Sequence, residues 1–232
     1  MRINRHNPAL FIAIIFGILL LAKDYIANFV NESISEVTQD DNSNLELTKD
    51  LEELLSKVEV IENDLKIEYD RDDYTSSSQY YEGNEVGEEY NSIKAYAYYE
   101  SEYYNEENDS YICPYTNEVV AYENIDFDHI VPLNYAHNHG GSEWSEEEKK
   151  LYADDPNIGV NVNSSDNRSK GAKGPSEWLP DYNVEEYCYT WLIICDNYDI
   201  SLSKSDYDTI VEILSKLSEE EFKSLDIINN YE

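Results

Sequence analysis

The stretch "NIDFDHIVPLNYAHNH", Asn124–His139, decides how this chain is read. It holds three of the four histidines, and Asp126 and Asp128 precede His129 at alternate positions. With the residues before it, "EVVAYENIDFDHIVPL" reads as two short strands around the turn-forming "YEN". Neighbours in a strand point to opposite faces, so Asp126 and Asp128 share one face and His129 takes the other. Asp128 and His129 could meet on one ligand only where the strand twists, bulges or ends, and Pro132 is consistent with an end. A histidine that stays neutral near pH 7 can act as a general base. An aspartate offers hard oxygen donors suited to a divalent cation.

The partner for this stretch lies downstream. "NIGVNV" reads as a strand and "DNRSKG" as a short helix, stopped by Gly171, Gly174 and Pro175. Asn167, 38 residues after His129, opens that helix and offers a second oxygen donor. Arg168, Lys170 and Lys173 follow at once. A base, a carboxylate, an amide and a group of cations describe a metal-assisted attack on a phosphodiester.

Charge supports the same pairing. The formal net charge is −34, from 50 acidic and 16 basic residues in 232. Taken as a sum, it argues against a nucleic-acid partner, because phosphates are repelled at long range. The charge is uneven, however. Residues 31–110 hold 24 acids against 5 bases, whereas residues 129–142 and 167–176 hold no acid at all. Those two gaps fall on the two halves of the candidate site. A phosphate could approach there while the remaining surface repels it.

The stretches "DFDHIVPLNYAHNHGGSEW" and "DPNIGVNVNSSDNRSKGAKGPSEWLP" together resemble the HNH endonucleases, and most closely the small exported members of that family. The resemblance covers about residues 111–217. It implies an α+β fold with a ββα-metal core (the HNH or His-Me finger) and packed helices around it. In this chain it implies His129 as the base that activates water, Asp128 and Asn167 as metal ligands, and Asn157 as the residue that orients His129. It further implies a phosphate contact from Lys170, with Arg168 and Lys173 beside it. Asp126 would support the metal ligands from behind or stand at the surface. The implied cofactor is one divalent ion, Mg²⁺ first, with Mn²⁺ or Zn²⁺ as alternatives. The implied substrate is nucleic acid, DNA before RNA, cut to 5′-phosphate and 3′-hydroxyl ends. The chain departs from the family at Asn157, about one residue further from Asn167 than in close relatives, so Asn161 or Asn163 could share its role.

Outside that region the chain reads in two further parts. Arg2 and Arg5 precede "PALFIAIIFGILLLA", so residues 1–30 are expected to be a signal peptide or an uncleaved signal-anchor that places the rest outside the membrane. Residues 31–75 are expected to form an acidic helical stalk or linker, with the nuclease domain at 76–232. Leu47, Leu51, Leu54, Val58, Ile61 and Leu65 follow heptad spacing. That seam either self-associates weakly through residues 47–65 or packs on the domain behind it. Ser145 with Glu148, and Ser218 with Glu221, read as capping boxes of later helices. Cys188 and Cys195 are two helical turns apart, about 10 Å, too far for a disulfide. Cys113 either pairs with one of them or all three are buried thiols. His137 and His139 read as loop residues. Two functions follow: an exported metal-dependent endonuclease, or a non-enzymatic tethered surface protein with an HNH-like binding domain.

Overall fold

Thr48 caps the first helix among the described residues of the computed structural model, its hydroxyl accepting from the N–H of Leu51 at 3.3 Å. The structure describes residues 47–62, 65–75, 81–82 and 89–228; the expected membrane-directed segment 1–30 lies outside the described residues. Among the described residues no helix is long and apolar enough to cross a membrane.

Helix α1 runs Lys49–Leu55 and is followed by β1, Val60–Ile61. Leu51, Leu54, Leu55 and Val58 are buried in the main hydrophobic core. Strand β1 pairs in parallel with Leu202–Ser203, near the far end of the chain. Of the heptad positions, Leu51, Leu54 and Val58 are thus buried within the chain, the second of the two uses expected for the seam, while Leu65 is exposed. The next segment packs in the same way. Tyr74, in a 3-10 turn at Arg71–Tyr74, has no exposed surface, and its hydroxyl meets His137 Nδ1 at 2.9 Å. Residues from Leu47 on belong to the same compact unit as the region 76–232.

Two strands, β2 (Tyr81–Glu82) and β3 (Glu89–Tyr90), form an antiparallel pair, and Ser92 caps helix α2, Ile93–Tyr99. Strands β4 (Tyr104–Asn105), β5 (Ser110–Ile112) and β6 (Val119–Val120) form a small antiparallel sheet in that order. Then comes the segment that positions the site: β7 (Ile125–His129), α3 (Leu133–Asn138), α4 (Glu146–Asp154), β8 (Gly159–Asn163) and α5 (Ser164–Lys170). Strands β7 and β8 pair antiparallel, with Asp128 opposite Val160 and His129 opposite Gly159. Both α2 and α5 pack against this hairpin. The chain closes with α6 (Val184–Asn197), β9 (Leu202–Ser203), α7 (Lys204–Leu214) and α8 (Glu219–Ile228). The whole is a mixed α+β fold.

The caps follow the sequence. The Ser145 hydroxyl accepts from the Glu148 N–H, and the Glu148 carboxylate accepts from the Ser145 N–H, which closes the capping box of α4. Asn163 caps α5 by accepting from the Ser165 N–H at 3.0 Å. Cys113, Cys188 and Cys195 are all buried and unpaired. Burial pushes the Cys188 thiol up to about 12.

Gly159 has a packing reason to be glycine. A Cβ there would lie 2.6 Å from the carbonyl oxygen of Asp128, a backbone atom that cannot swing away. Overpacking of this kind costs about 1–3 kcal/mol. Gly159→Ala is expected to lower the melting temperature by about 5–10 °C, read by calorimetry; an unchanged value would show that the hairpin tolerates the methyl group.

Candidate active site

Strand β7 keeps its alternation to its last residue. The His129 ring stays with the ring of Phe127, two positions back, edge to face at 5.2 Å. The Asp128 carboxylate goes elsewhere, to Tyr115 and Lys170. The pairing with β8 runs in regular register as far as His129, where the strand ends.

His129 is held by α4. Its Nε2 lies 2.8 Å from the carbonyl oxygen of Ala153. Ala153 is in the last turn of that helix, where carbonyls have no partner within the helix. A carbonyl only accepts, so Nε2 carries the proton and the lone pair is on Nδ1. Burial pulls the imidazole below its usual value near 6.5, and the carbonyl and Asp128 oppose this. The charges of Lys170 and Arg71 add to the lowering. Tyr152, wholly buried, lies beneath the ring at 6.3 Å between centroids.

Asp128 and Lys170 form a buried pair. The Lys170 ammonium donates to Asp128 Oδ1 at 2.8 Å and to the carbonyl oxygen of His129 at 2.7 Å. The Tyr115 hydroxyl donates to Asp128 Oδ2 at 2.7 Å. Lys170 has 0% of its surface exposed and Asp128 has 5%. The phosphate contact expected from Lys170 is corrected, because a side chain with no exposed surface cannot reach a substrate. Burial lowers the Lys170 ammonium below its ordinary value, with Asp128 opposing. Burial and then Asp128 raise the Tyr115 phenol well above its own, so it remains a donor.

The other expected residues are placed as follows. Asn167 is half-buried on α5 and donates from Nδ2 toward the carbonyl oxygen of Phe127 at 3.5 Å, the long end of the range. Asn157 is exposed in a 3-10 turn just before β8, and only its backbone N–H is engaged, by Asp155 Oδ1 at 2.8 Å. The orienting role expected of it falls to the Ala153 carbonyl. Asn161 instead ties the hairpin to α2, donating to the Lys94 carbonyl at 2.9 Å. Asp126 is exposed, as are Arg168 and Lys173, and Lys173 folds back onto the Ser169 carbonyl at 2.8 Å. Hairpin and helix thus bring Asp128, His129, Asn167 and Lys170 together and leave Asn157 and Asp126 aside.

Several contributors were not legible in advance. Tyr115 and the carbonyl of Ala153 carry no motif of their own. Arg71 lay in what read as linker. Asp155 accepts from Tyr198 as well as capping the turn, which anchors the loop before β8 to the end of α6. His137 lies within α3 rather than in a loop, His139 lies in the turn just after that helix, and both are buried. His137 Nε2 meets the Glu68 carbonyl at 3.0 Å, and the His139 ring stacks on Tyr135 at 3.8 Å.

The expected divalent ion does not fit this donor set. Both oxygens of Asp128 are engaged, one by a full positive charge. Among the described residues no three His, Cys, Asp or Glu side chains converge as a metal site.

No family model matches the chain, and no solved structure matches it. A curated protein of Arthroderma benhamiae, described as an uncharacterized secreted protein, is 27% identical over 112 residues. The match covers 46% of this chain and 54% of that relative, so the chain spans about half the length of the relative it matches.

Proposed function

We propose that the protein is a phosphodiester hydrolase, an endonuclease that acts on nucleic acid, DNA first, outside the cell. The observation that carries this is the placement of His129: Nε2 is fixed on the Ala153 carbonyl, burial favours the neutral ring, and in that form the basic nitrogen is Nδ1. In the proposed reaction Nδ1 takes a proton from water as the water oxygen bonds to phosphorus. The phosphorus–oxygen bond to the leaving sugar breaks, and that oxygen is protonated from solvent. The imidazolium keeps its hydrogen bond to the Ala153 carbonyl. Arg71, Arg168 and Lys173 are exposed cations that offset the phosphate charge. No step is routed through a divalent ion, because Asp128 is occupied. The secreted relative and the apolar segment behind Arg2 and Arg5 support an extracellular location.

The full chain incubated with supercoiled plasmid is expected to give nicked circles, more slowly as salt rises, since binding rests on few cations. Parallel reactions with Mg²⁺, Mn²⁺, Zn²⁺ or EDTA settle the ion requirement. Intact plasmid in every buffer would sink the assignment. It would leave the second reading, a non-enzymatic surface protein, which the closed pair of Asp128 and Lys170 favours.

The acid limb of the pH–rate profile is expected below 6.5, because the folded imidazole holds its proton less tightly than a free one. The stability effect has the matching sign. The unfolded chain protonates this histidine first as pH falls, so stability declines below the unfolded value and not above it. A limb centred above 6.5 would contradict a buried, neutral base.

A further inference from the structure

We infer that Asp128, Tyr115 and Lys170 form a closed buried unit that positions His129, and that the Asp128 carboxylate serves this unit rather than a bound cation. The positioning part rests on the proposed function; the closed unit does not.

The unit starts from a helix end. Lys170 is the last residue of α5, and Gly171 follows with φ +57°, which breaks the helix and turns the chain away. The lysine side chain then lies wholly inside the domain. Two of its three donors are used, on Asp128 Oδ1 and on the carbonyl of His129. The remaining carboxylate oxygen takes the Tyr115 hydroxyl. A buried ammonium and carboxylate are tolerated only when each is paired and hydrogen-bonded, and this arrangement meets both conditions. A divalent ion on the same carboxylate would face the ammonium at close range. Like charges there repel strongly, because little water screens them.

The same ammonium reaches the reacting base through the backbone. The carbonyl of His129 is held by Lys170, and the next N–H, of Ile130, donates to the Ile158 carbonyl at 2.9 Å. The peptide that follows His129 is thus fixed at both its carbonyl and its N–H. The ring can then keep its hydrogen bond to α4 without searching. Lys170 is therefore a positioning residue, although no substrate can touch it.

The test uses the full chain as wild type, Asp128→Asn, Lys170→Met and the double variant. Each single change leaves one buried charge unpaired and is expected to lower the melting temperature by about 10 °C. The double variant is expected to regain more than half of that loss. Strictly additive losses would overturn the closed unit. Mn²⁺, the probe ion in titration calorimetry, is expected to bind Asp128→Asn within twofold of wild type, or to bind neither. A tenfold weaker Mn²⁺ affinity in Asp128→Asn, or a tenfold tighter one in Lys170→Met, would make Asp128 a masked metal ligand and overturn the inference. In the double variant, nicking is expected to show a kcat at least tenfold lower with KM within twofold. Lys170→Arg, which keeps a donor to the carbonyl, is expected to recover part of kcat; an unchanged kcat in the double variant would remove the positioning role. A wild type that nicks no DNA would fail the proposed function alone, because the melting and Mn²⁺ measurements still decide the unit.

Discussion

Replacing His129 by alanine is expected to lower plasmid nicking by about 10²–10⁴-fold, the usual share of a general base. The fold should persist. The ring makes one hydrogen bond, to a carbonyl at a helix end that water can serve instead. The neighbouring contacts of Lys170 and Tyr115 go to the Asp128 carboxylate and to the carbonyl of residue 129, and none uses its imidazole. Substrate binding should hardly change, because it rests on the exposed cations. The loss should therefore appear in kcat, with KM within about twofold. Rates equal to wild type, measured on a variant with an unchanged circular dichroism spectrum, would end the case for His129 as the base.

Removing residues 1–75 is expected to abolish folding. The sequence alone suggests cutting there, since residues 63–88 are rich in Ser, Gly and acids. The structure argues the reverse. Leu51, Leu54, Leu55, Val58 and Tyr74 are all buried in the main core. Truncating a single buried leucine to alanine costs about 2–5 kcal/mol, so losing five such side chains costs about 10 kcal/mol or more. Total stability of a domain is about 5–15 kcal/mol. Strand β9 would also lose its partner, and His137 would lose Tyr74 and the Glu68 carbonyl. A 76–232 fragment that melts cooperatively near the temperature of the full chain would refute this. A 47–232 fragment is the matching control.

Local signals in this chain were readable because they depend on near neighbours. The capping boxes at Ser145 and Ser218 and the strand ending before Pro132 follow from periodicity and caps within a few residues. Pairings between distant segments were not readable. Nothing near Leu51 says that its seam faces α6 and not a second chain, since heptad spacing serves either use. At the site, motif spacing brought Asp128, His129, Asn167 and Lys170 to one place. It could show the helix ending at Gly171 but not that Lys170 would turn inward onto Asp128, because that depends on Tyr115, which comes from the turn between β5 and β6. The orienting contact for His129 is a backbone carbonyl, which no side-chain motif can encode.

The three unpaired thiols carry a practical consequence. No covalent cross-link holds this fold among the described cysteines, so reductant should leave it intact and refolding should need no oxidant. Buried thiols whose protons are held tightly react slowly with alkylating agents. Alkylation of Cys188 and Cys195 should therefore wait for the core to open, and Cys113, with no exposed surface, is shielded by burial. Their labelling rate becomes an internal clock for global unfolding, available in any variant without an added probe.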